Sequence, residues 1–315
     1  RVQAELRELR RVKRSKLDSD VWTKTVISAI EEQLPHLAPT TRRPEPSPEP
    51  VTAEHFLVLS DLQLGSHVDV SEMGGLSVYS WEVFLDRLRR LEAEIVAIKQ
   101  AHGGRAIRRL NILGLGDYAD GQSIFRGQPF EIDRHVVQQN TEGPWEISQM
   151  LVRLLAEYDS IVMYTVYGNH GRLTERREAA PTHASWDFIF VKFLENMTSL
   201  SLDKQDRRRV QFVFADSWWL LVERLGCRLL LLHGEDIRSS LSIPYYGMER
   251  TRQRMTNLLQ QHLPPNSGPI TFDVMCTGHF HTPAFISTAS GPILMSGCWP
   301  GASKFSAKTM QAAPA

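Results

Sequence analysis

Five apolar segments of this chain each end in residue types that bind metals. The first, "FLVLSDLQ" (56–63), ends in an aspartate and a glutamine. The same pattern, an apolar run that ends in such residues, recurs in "LNILGLGDYAD" (110–120), "IVMYTVYGNHGR" (161–172), "RLLLLHGED" (228–236) and "FDVMCTGHFH" (272–281). Short apolar runs bounded by turn residues are typical of buried strands. Because the carboxyl ends of parallel strands share one edge of a sheet, such a chain is expected to gather these polar groups at that edge.

The segments between these strands read as helices. The clearest is 78–102, where apolar residues recur at spacings of three and four. Strand–helix alternation of this kind predicts an α/β sheet covered on both faces. The predicted helices are 78–102, 131–157, 184–198 and 245–262. The predicted strands are 55–60, 110–115, 161–166, 210–214, 218–222, 228–233 and 273–277, with short ones near 285–288 and 292–296.

The residue types at the strand ends favour a shared metal site. A single aspartate after a strand is usually a turn or cap residue, and His233 alone would more often be a buried structural histidine. Five such endings in one chain favour a common site over unrelated turns. Carboxylate, amide and imidazole ligands without a thiolate suit two first-row divalent metals. Asp117 is the natural bridge, and two ions could clamp both oxygens of a phosphoryl displacement.

Composition excludes several other classes of protein. The chain has 315 residues with 36 basic and 36 acidic side chains, so its overall charge indicates no polyanionic partner, although local patches stay open. Its three cysteines are far apart in the sequence, which argues against a disulfide framework or a zinc ribbon. Neither a membrane-spanning segment nor a secretory signal is recognisable. We therefore expect a soluble, cytoplasmic protein without a membrane partner.

Three regions are predicted along the chain. Residues 1–34 read as an N-terminal helical arm, and residues 35–53 as a Pro-rich linker that contains six of the 17 prolines. Residues 54–315 form the predicted catalytic domain. The basic arm is either a solvated or oligomerising helix, which leaves a homodimer open, or an arm that docks nucleic acid or a partner.

The five motifs together resemble those of the calcineurin-like metallophosphoesterases, over about residues 54 to 300. Within that superfamily the chain looks most like phage and bacterial members, through "GGLSVY" (74–79), "GNHGR" (168–172) and "SWDFIF" (185–190). It is more distantly similar to double-strand-break repair nucleases. The resemblance implies a four-layer α/β/β/α sandwich with a dinuclear metal centre at the strand ends.

The resemblance also implies residue roles. A hydroxide held by the metals would attack phosphorus. His170 would bind the phosphate or protonate the leaving oxygen, Asp120 would orient His170, and Arg172 would supply a phosphate contact. The implied ligands are Asp61, Gln63, Asp117 and His281 for the first metal, and Asp117, Asn169, His233 and His279 for the second.

Three departures from the family pattern stand out. Gln63 replaces the usual histidine of the first motif, which predicts a weaker first-metal site and a preference for Mn²⁺, with Fe, Zn²⁺ and Ni²⁺ as alternatives. His67 is either a substitute ligand or a loop residue. Gly121 replaces the arginine of the Ser/Thr phosphatases. Gly171 replaces the acidic residue that usually follows the motif histidine.

The favoured function is a metal-dependent phosphodiesterase, with DNA as a candidate substrate. Arginines beyond the third motif (Arg172, Arg176 and Arg177), the cluster Arg207–Arg209 and several aromatic residues could contact a nucleic acid, or could be ordinary surface and core residues. A phosphomonoesterase that acts on protein or nucleotide, and a non-catalytic scaffold with the same fold, are the alternatives. The segment 121–150 is expected to overhang the site.

Overall fold

The computed structural model describes residues 53–173, 181–239, 244–261 and 270–303. The predicted N-terminal arm, and the linker up to residue 52, lie outside the described residues, as do Arg176 and Arg177. Those parts of the domain division therefore stay predictions.

The first sheet has four parallel strands in the order β1-β2-β3-β4. All four point the same way, so β1, β2 and β3 deliver the first three motifs to one edge. The register pairs Leu59 with Gly114, and Gly114 with Thr165, so the ends of neighbouring strands lie side by side. The strands are His55–Leu59 (β1), Arg109–Gly114 (β2), Ser160–Thr165 (β3) and Val210–Phe214 (β4).

The second sheet has five strands in the order β5-β6-β7-β9-β8. β6, β7 and β9 are mutually parallel, and the outer strands β5 and β8 pair antiparallel to their neighbours. The fourth and fifth motifs follow β6 and β7, whose ends again share an edge. The strands are Trp219–Arg224 (β5), Cys227–Leu232 (β6), Val274–Thr277 (β7), Ala284–Thr288 (β8) and Gly291–Met295 (β9).

Five α-helices accompany the sheets in the described residues. Ser80 caps the first of them, since its side chain accepts a hydrogen bond from the backbone N–H of Val83. The helices are Trp81–His102 (α1), Val136–Gln139 (α2), Glu142–Leu154 (α3), Trp186–Leu200 (α4) and Tyr245–Gln261 (α5).

Three apolar clusters separate four layers. On β6, Leu230 and Leu232 pack toward α5, whereas Leu229 and Leu231 join residues of the first sheet. This alternation follows from the two-residue period of a strand, and it places the sheets face to face. The outer face of the first sheet packs against α1, α3 and α4. The structure therefore confirms the predicted four-layer α/β/β/α arrangement.

The predicted helix 131–157 is wrong in one respect, because the chain forms two helices there. α2 ends at Gln139, and α3 begins at Glu142. Pro144 lies in the first turn of α3, where its missing N–H costs nothing. An uninterrupted helix would bring its ring against the carbonyl of Asn140, four residues earlier. None of the described helices is long and apolar enough to cross a bilayer.

Candidate metal centre

The first and fifth motifs meet where the two sheets adjoin. The Nε2 atom of His281 lies 3.4 Å from Oδ1 of Asp61 and 3.1 Å from Nε2 of Gln63. The backbone N–H of His279 donates to the Asp61 carboxylate, with an N–O distance of 3.1 Å. Asp61 also accepts from the Ser60 hydroxyl. Four of the predicted metal-site residues are thus in contact, although they come from opposite ends of the domain.

The second, third and fourth motifs meet in the same way. Oδ2 of Asp117 lies 3.0 Å from Nε2 of His233, and Oδ1 accepts from the backbone N–H of His170 at 2.7 Å. The His233 and His279 rings stand edge to face, with centroids 5.2 Å apart. Ligand atoms of Asp117, His233 and His279 all lie within 4.8 Å of one another. These three residues form a possible metal-binding cluster.

One further contact completes a closed ring of contacting residues, which we call the circuit. Nε2 of His170 lies 3.5 Å from Nε2 of Gln63, which connects the third motif back to the first. The structure thus brings the predicted metal-site residues together. Their individual roles as ligands stay predictions. The contacting residues, in order around the circuit, are Gln63, His281, Asp61, His279, His233, Asp117 and His170, and Asn169 adjoins His170 in the chain.

The backbone is strained at these residues. Apart from glycines, six described residues have a positive φ, and five of them are predicted metal-site residues. Such backbone angles cost side-chain-bearing residues free energy, and they are retained where the surrounding structure fixes them for function. The five are Asp61 (φ 50°), Gln63 (φ 41°), Asp117 (φ 53°), His279 (φ 67°) and His281 (φ 57°).

Three buried polar atoms of the centre lack a hydrogen bond of good geometry in the described residues: Oδ2 of Asp117, Oδ1 of Asn169 and Nε2 of His233, of which the first and third face each other only as an ion pair at 3.0 Å. Unsatisfied buried polar atoms are costly and uncommon, so each needs a reason. All three belong to the ligand set implied for the second metal, and each is an atom type that coordinates divalent cations. The residues present therefore fit a metal at this position.

The charges of the centre are strongly coupled. Burial opposes both ionised groups, yet the pKa of Asp117 is lowered and the pKa of His233 is raised well above its usual value, because the two form an ion pair. Burial and the neighbouring His233 lower the pKa of His279 to about 3. A neutral imidazole is the form that binds a metal, so His279 already has the required form, whereas His233 would release its proton on metal binding. The Nδ1 atom of His233 contacts the Leu115 carbonyl at 2.7 Å, which fixes the orientation of the ring.

His170 is paired with Asp120. Its Nδ1 lies 3.1 Å from Oδ1 of Asp120 and 3.0 Å from the Asp120 carbonyl oxygen. Burial alone would lower the pKa of His170, but the carboxylates of Asp117 and Asp120 raise it to about 9. The ring is therefore a cation whose Nε2 faces Gln63 and whose side chain is 20% exposed. A partly accessible cation at this place suits an anionic substrate.

Gly121 stands where the Ser/Thr phosphatases have an arginine, and its backbone explains the difference. Its φ is +83°, and a Cβ there would lie 3.0 Å from the His170 carbonyl oxygen. At Gly168 a Cβ would overlap Oδ1 of Asp117. Both positions let the second and third motifs approach each other closely. Any side chain at 121 would therefore be strained in its backbone and crowded against the His170 carbonyl.

Arg172 is placed beside the centre. Its guanidinium donates to the Asn169 carbonyl at 2.9 Å and to the Ile124 carbonyl at 2.6 Å. These bonds tie the third motif to the segment after Asp120. A phosphate contact by Arg172 stays a prediction, and it would compete with these bonds.

The Arg207–Arg209 cluster lies away from the centre, since it precedes β4 at the opposite end of the first sheet from the motifs. Arg209 pairs with Asp206 at 2.9 Å and donates to the carbonyls of Tyr158 and Asp159. Arg207 donates to the Leu202 carbonyl at 2.9 Å. These two arginines hold the turn before β4, so the interpretation that they could follow a nucleic acid at the site loses its support.

Asp187 is a residue of the site that the sequence analysis overlooked. It is completely buried, and its Oδ2 accepts from the backbone N–H groups of Asp117 and Gly168, each at 2.8 Å. Its Oδ1 accepts from the N–H of Tyr118 at 3.0 Å. Burial and the nearby Asp117 charge raise its pKa to about 6 against the effect of these donors. One carboxylate thus fixes the backbone of two motifs.

The sequence around Asp187 indicates the start of a helix, but not the contacts of Asp187 with the motif loops. Ser185 caps α4, with its hydroxyl accepting from the Asp187 N–H at 3.2 Å, and Asp187 is the acidic residue of the first turn. Such an aspartate normally serves the N-terminus of its own helix. Here it points away to the motif loops, which the sequence pattern alone does not show.

Two buried glutamines fasten the segment after Asp120. Gln128 donates to Oδ2 of Asp120 at 2.9 Å, and its Oε1 accepts from the Ile124 N–H. Gln139 accepts from the Gly121 N–H and donates to the Gly121 carbonyl, both at 2.9 Å. The first part of the segment 121–150 is therefore anchored beside His170 through its partner Asp120.

Comparison with known proteins gives likenesses of fold only. No family model and no curated protein matches the chain. Vps29 from Entamoeba histolytica, complexed with Zn²⁺, is 11% identical with a TM-score of 0.32, over 79% of this chain and 77% of that chain.

Two other solved structures show likenesses of the same order. An archaeal phosphodiesterase is 11% identical with a TM-score of 0.34, over 78% of this chain and 84% of that chain. A hypothetical protein from Pyrococcus horikoshii is 9% identical with a TM-score of 0.36, over 78% of this chain and 77% of that chain. Identities and TM-scores this low transfer no function.

Proposed function

We propose that this chain is a phosphoester hydrolase that uses two divalent cations and acts on phosphodiesters. The observation that carries the proposal is the ring of contacting motif residues, in which three buried polar atoms lack a hydrogen bond of good geometry. When bound there, divalent cations would supply an activated water and neutralise charge that develops on the phosphoryl group. DNA is the candidate natural substrate, and Mn²⁺ the expected metal.

The protein's own groups supply the remaining chemistry. His170 presents Nε2 to the centre while Asp120 holds Nδ1, so the imidazole is oriented and the Asp120 carboxylate favours its protonated form. It can bind a phosphoryl oxygen and donate its proton to the leaving oxygen. Arg172 and Asp187 hold the loops that carry Asn169 and Asp117.

Gln63 is compatible with a ligand role. Its amide faces His281 and His170 at 3.1 Å and 3.5 Å. Burial opposes protonation of His281, but hydrogen bonds from its ring to Asp61 and Cys298 raise its pKa to about 10. Metal binding would require His281 to release this proton. The Gln63 amide can then turn its oxygen toward the metal, since the hydrogen-bond network decides the orientation of an amide. That orientation presents an oxygen ligand, which suits Mn²⁺.

Local charge favours a diester over a monoester. A phosphomonoester carries about −1.5 to −2 charges at neutral pH, whereas a diester carries a single charge. Beside the ligand set, His170 is a cation that faces the centre, and Arg172 is engaged with two carbonyl groups. With Mn²⁺, we expect faster hydrolysis of bis-p-nitrophenyl phosphate than of p-nitrophenyl phosphate. Faster turnover of the monoester would instead support a phosphatase.

Metal binding is expected to stabilise the fold. A ligand at 100 times its Kd adds about 2.7 kcal/mol to the free energy of unfolding, which corresponds to a rise in Tm of about 5–10 °C for a domain of this size. We expect this rise on adding Mn²⁺ to protein treated with a chelator, measured by differential scanning fluorimetry. Asp117→Asn should abolish it.

The matched control is Asp216→Asn, which makes the same change at a carboxylate that is 99% exposed. This variant should keep the full rise in Tm. If the unaltered protein shows no rise with Mn²⁺, Fe²⁺, Zn²⁺ or Ni²⁺, the metal site is contradicted. A normal rise without hydrolysis of any ester would support the alternative of a non-catalytic scaffold.

A further inference from the structure

A cleft lined by arginines lies beside helix α5. Its volume is about 440 Å³, and its lining includes Arg238, Tyr246, Arg250 and Arg254. An adjoining depression of about 570 Å³ continues past Tyr246, Arg250 and Arg254 along the same helix. We call these four residues the arginine cleft. They take no part in the metal centre.

Three of the four form one row on the helix surface. Tyr246, Arg250 and Arg254 are spaced by four residues, so each stands about one turn beyond the last. All are exposed, Tyr246 to 77%. Unpaired like charges at this spacing destabilise a helix. A row of this kind is therefore better suited to a bound anion than to stabilising α5.

The guanidinium groups are available to a ligand. None of the side chains of Arg238, Arg250 and Arg254 has a hydrogen bond or ion pair within the part of the chain that the structure describes, whereas Arg252 of the same helix is buried and donates to the carbonyls of Ser290 and Pro292. The carboxylates that line the two depressions are Asp236 and Glu249. Of these, Glu249 already accepts a hydrogen bond from Ser290 at 3.0 Å.

One end of the cleft, at Arg238 and Tyr246, lies toward the edge of the second sheet that carries the metal centre, and Arg250 and Arg254 extend from it along α5. Arg238 follows His233 by five residues in the loop that leaves β6. β6 and β7 are parallel, so α5 must begin near the end of β6 and run back toward the start of β7. A Cβ at Gly247 would overlap the Arg238 carbonyl, so this loop lies against the first turn of α5.

We propose that the arginine cleft binds the sugar–phosphate backbone of a single nucleic acid strand whose scissile phosphate lies at the metal centre. The inference rests on the proposed function and narrows its substrate to a polynucleotide. Rows of cations that follow the backbone, together with an exposed aromatic ring for a base, are the features by which proteins hold single strands without regard to sequence. The row provides both, with Tyr246 at the end nearer the loop.

The test is binding of fluorescein-labelled oligo-dT by fluorescence anisotropy, with the full chain in EDTA. Arg250→Gln with Arg254→Gln should weaken binding by at least about tenfold, and should reduce the slope of log K against log salt by about 1.4, since each phosphate contact on a single strand contributes about 0.7. The matched control is Arg89→Gln with Arg90→Gln, which removes two exposed arginines from α1. This control should bind like the parent protein.

Each outcome decides the question. If both double variants lose the same affinity for oligo-dT, the effect is one of net charge. If neither variant loses affinity, the strand binds elsewhere. Either result overturns the proposal. The proposal would also be overturned if the protein bound phosphatidylserine vesicles through Arg250 and Arg254 and did not bind oligo-dT. Since EDTA prevents turnover, a protein that hydrolyses no ester can still pass this test. Failure of the cleft is thereby distinguished from failure of the proposed hydrolysis.

Discussion

Replacing His170 by alanine is expected to lower kcat for bis-p-nitrophenyl phosphate by about 10²–10⁴-fold, the usual contribution of a positioned general acid. The reason is local. The imidazole is held by Asp120 at 3.1 Å, and Nε2 is directed into the centre. The contact with Asp117 is made by the backbone N–H of residue 170, which alanine keeps. The variant should therefore retain its bound metal, as measured by elemental analysis after gel filtration.

Two further variants sharpen this prediction. Asp120→Asn should lower kcat less than His170→Ala, because the ring remains but loses the carboxylate that helps to keep it protonated. His67→Ala is the control, since His67 is exposed and its backbone pairs with the Glu131 carbonyl in the loop after Gln63. We expect no change in kcat for His67→Ala. Loss of metal in His170→Ala would contradict the assignment of this ring to the substrate and would make it a ligand.

The ends of the strands could be predicted from the sequence because apolar runs and the polar residues that follow them can both be read there. Alternating or continuous apolar runs locate the strands, and the polar residues that end them must then share an edge wherever the strands are parallel. Asp117 and His233 are 116 positions apart in the numbering, yet their side chains touch. Parallel pairing explains why β1, β2 and β3 end at one edge and β6 and β7 at another. The meeting of these two edges depends on how the sheets pack, which the sequence does not show.

The sequence did not reveal the side chains that form hydrogen bonds with the backbone of the motif loops. Asp187 and Gln128 bind N–H and C=O groups of the motif loops, and such bonds depend on loop paths that have no periodic signature. The arginines of the 207–209 cluster show the opposite case, in which the sequence suggested a functional role that the structure does not support. In the sequence they read as a basic patch, whereas the structure uses Arg209 to satisfy carbonyl groups between elements. Charge in a sequence does not distinguish these two uses.

Replacing Asp187 by alanine is expected to have the largest effect on the stability of the centre. It would leave the buried N–H groups of Asp117, Tyr118 and Gly168 without their acceptor. At about 1 kcal/mol or more for each unsatisfied donor, the free energy of unfolding should fall by about 3 kcal/mol. Because two metal-binding loops lose their anchor, affinity for Mn²⁺ should also fall by about 10–100-fold. Chemical denaturation and calorimetric titration measure the two effects.

A control separates stability from the metal site. Asp206 is also buried and pairs with Arg209, but it lies at the opposite end of the first sheet. Asp206→Ala should therefore lower the free energy of unfolding while leaving the affinity for Mn²⁺ unchanged. If Asp187→Ala behaves in the same way, its carboxylate serves the fold alone and not the positioning of the ligands.

A second substitution can test whether Asp187 replaces the acidic residue that related motifs carry after the histidine. A Cβ at Gly171 would lie 3.0 Å from the Asp187 carboxyl carbon, so a carboxylate at 171 would reach the same backbone donors. Gly171→Asp alone should be damaging, because it crowds Asp187 and the Ser185 hydroxyl and places two carboxylates together. Combined with Asp187→Ala, it should recover part of the lost affinity for Mn²⁺. The two substitutions would then couple by about 0.5–3 kcal/mol, as contacting residues do. Purely additive losses would show that the carboxylate of Asp187 has no counterpart at position 171.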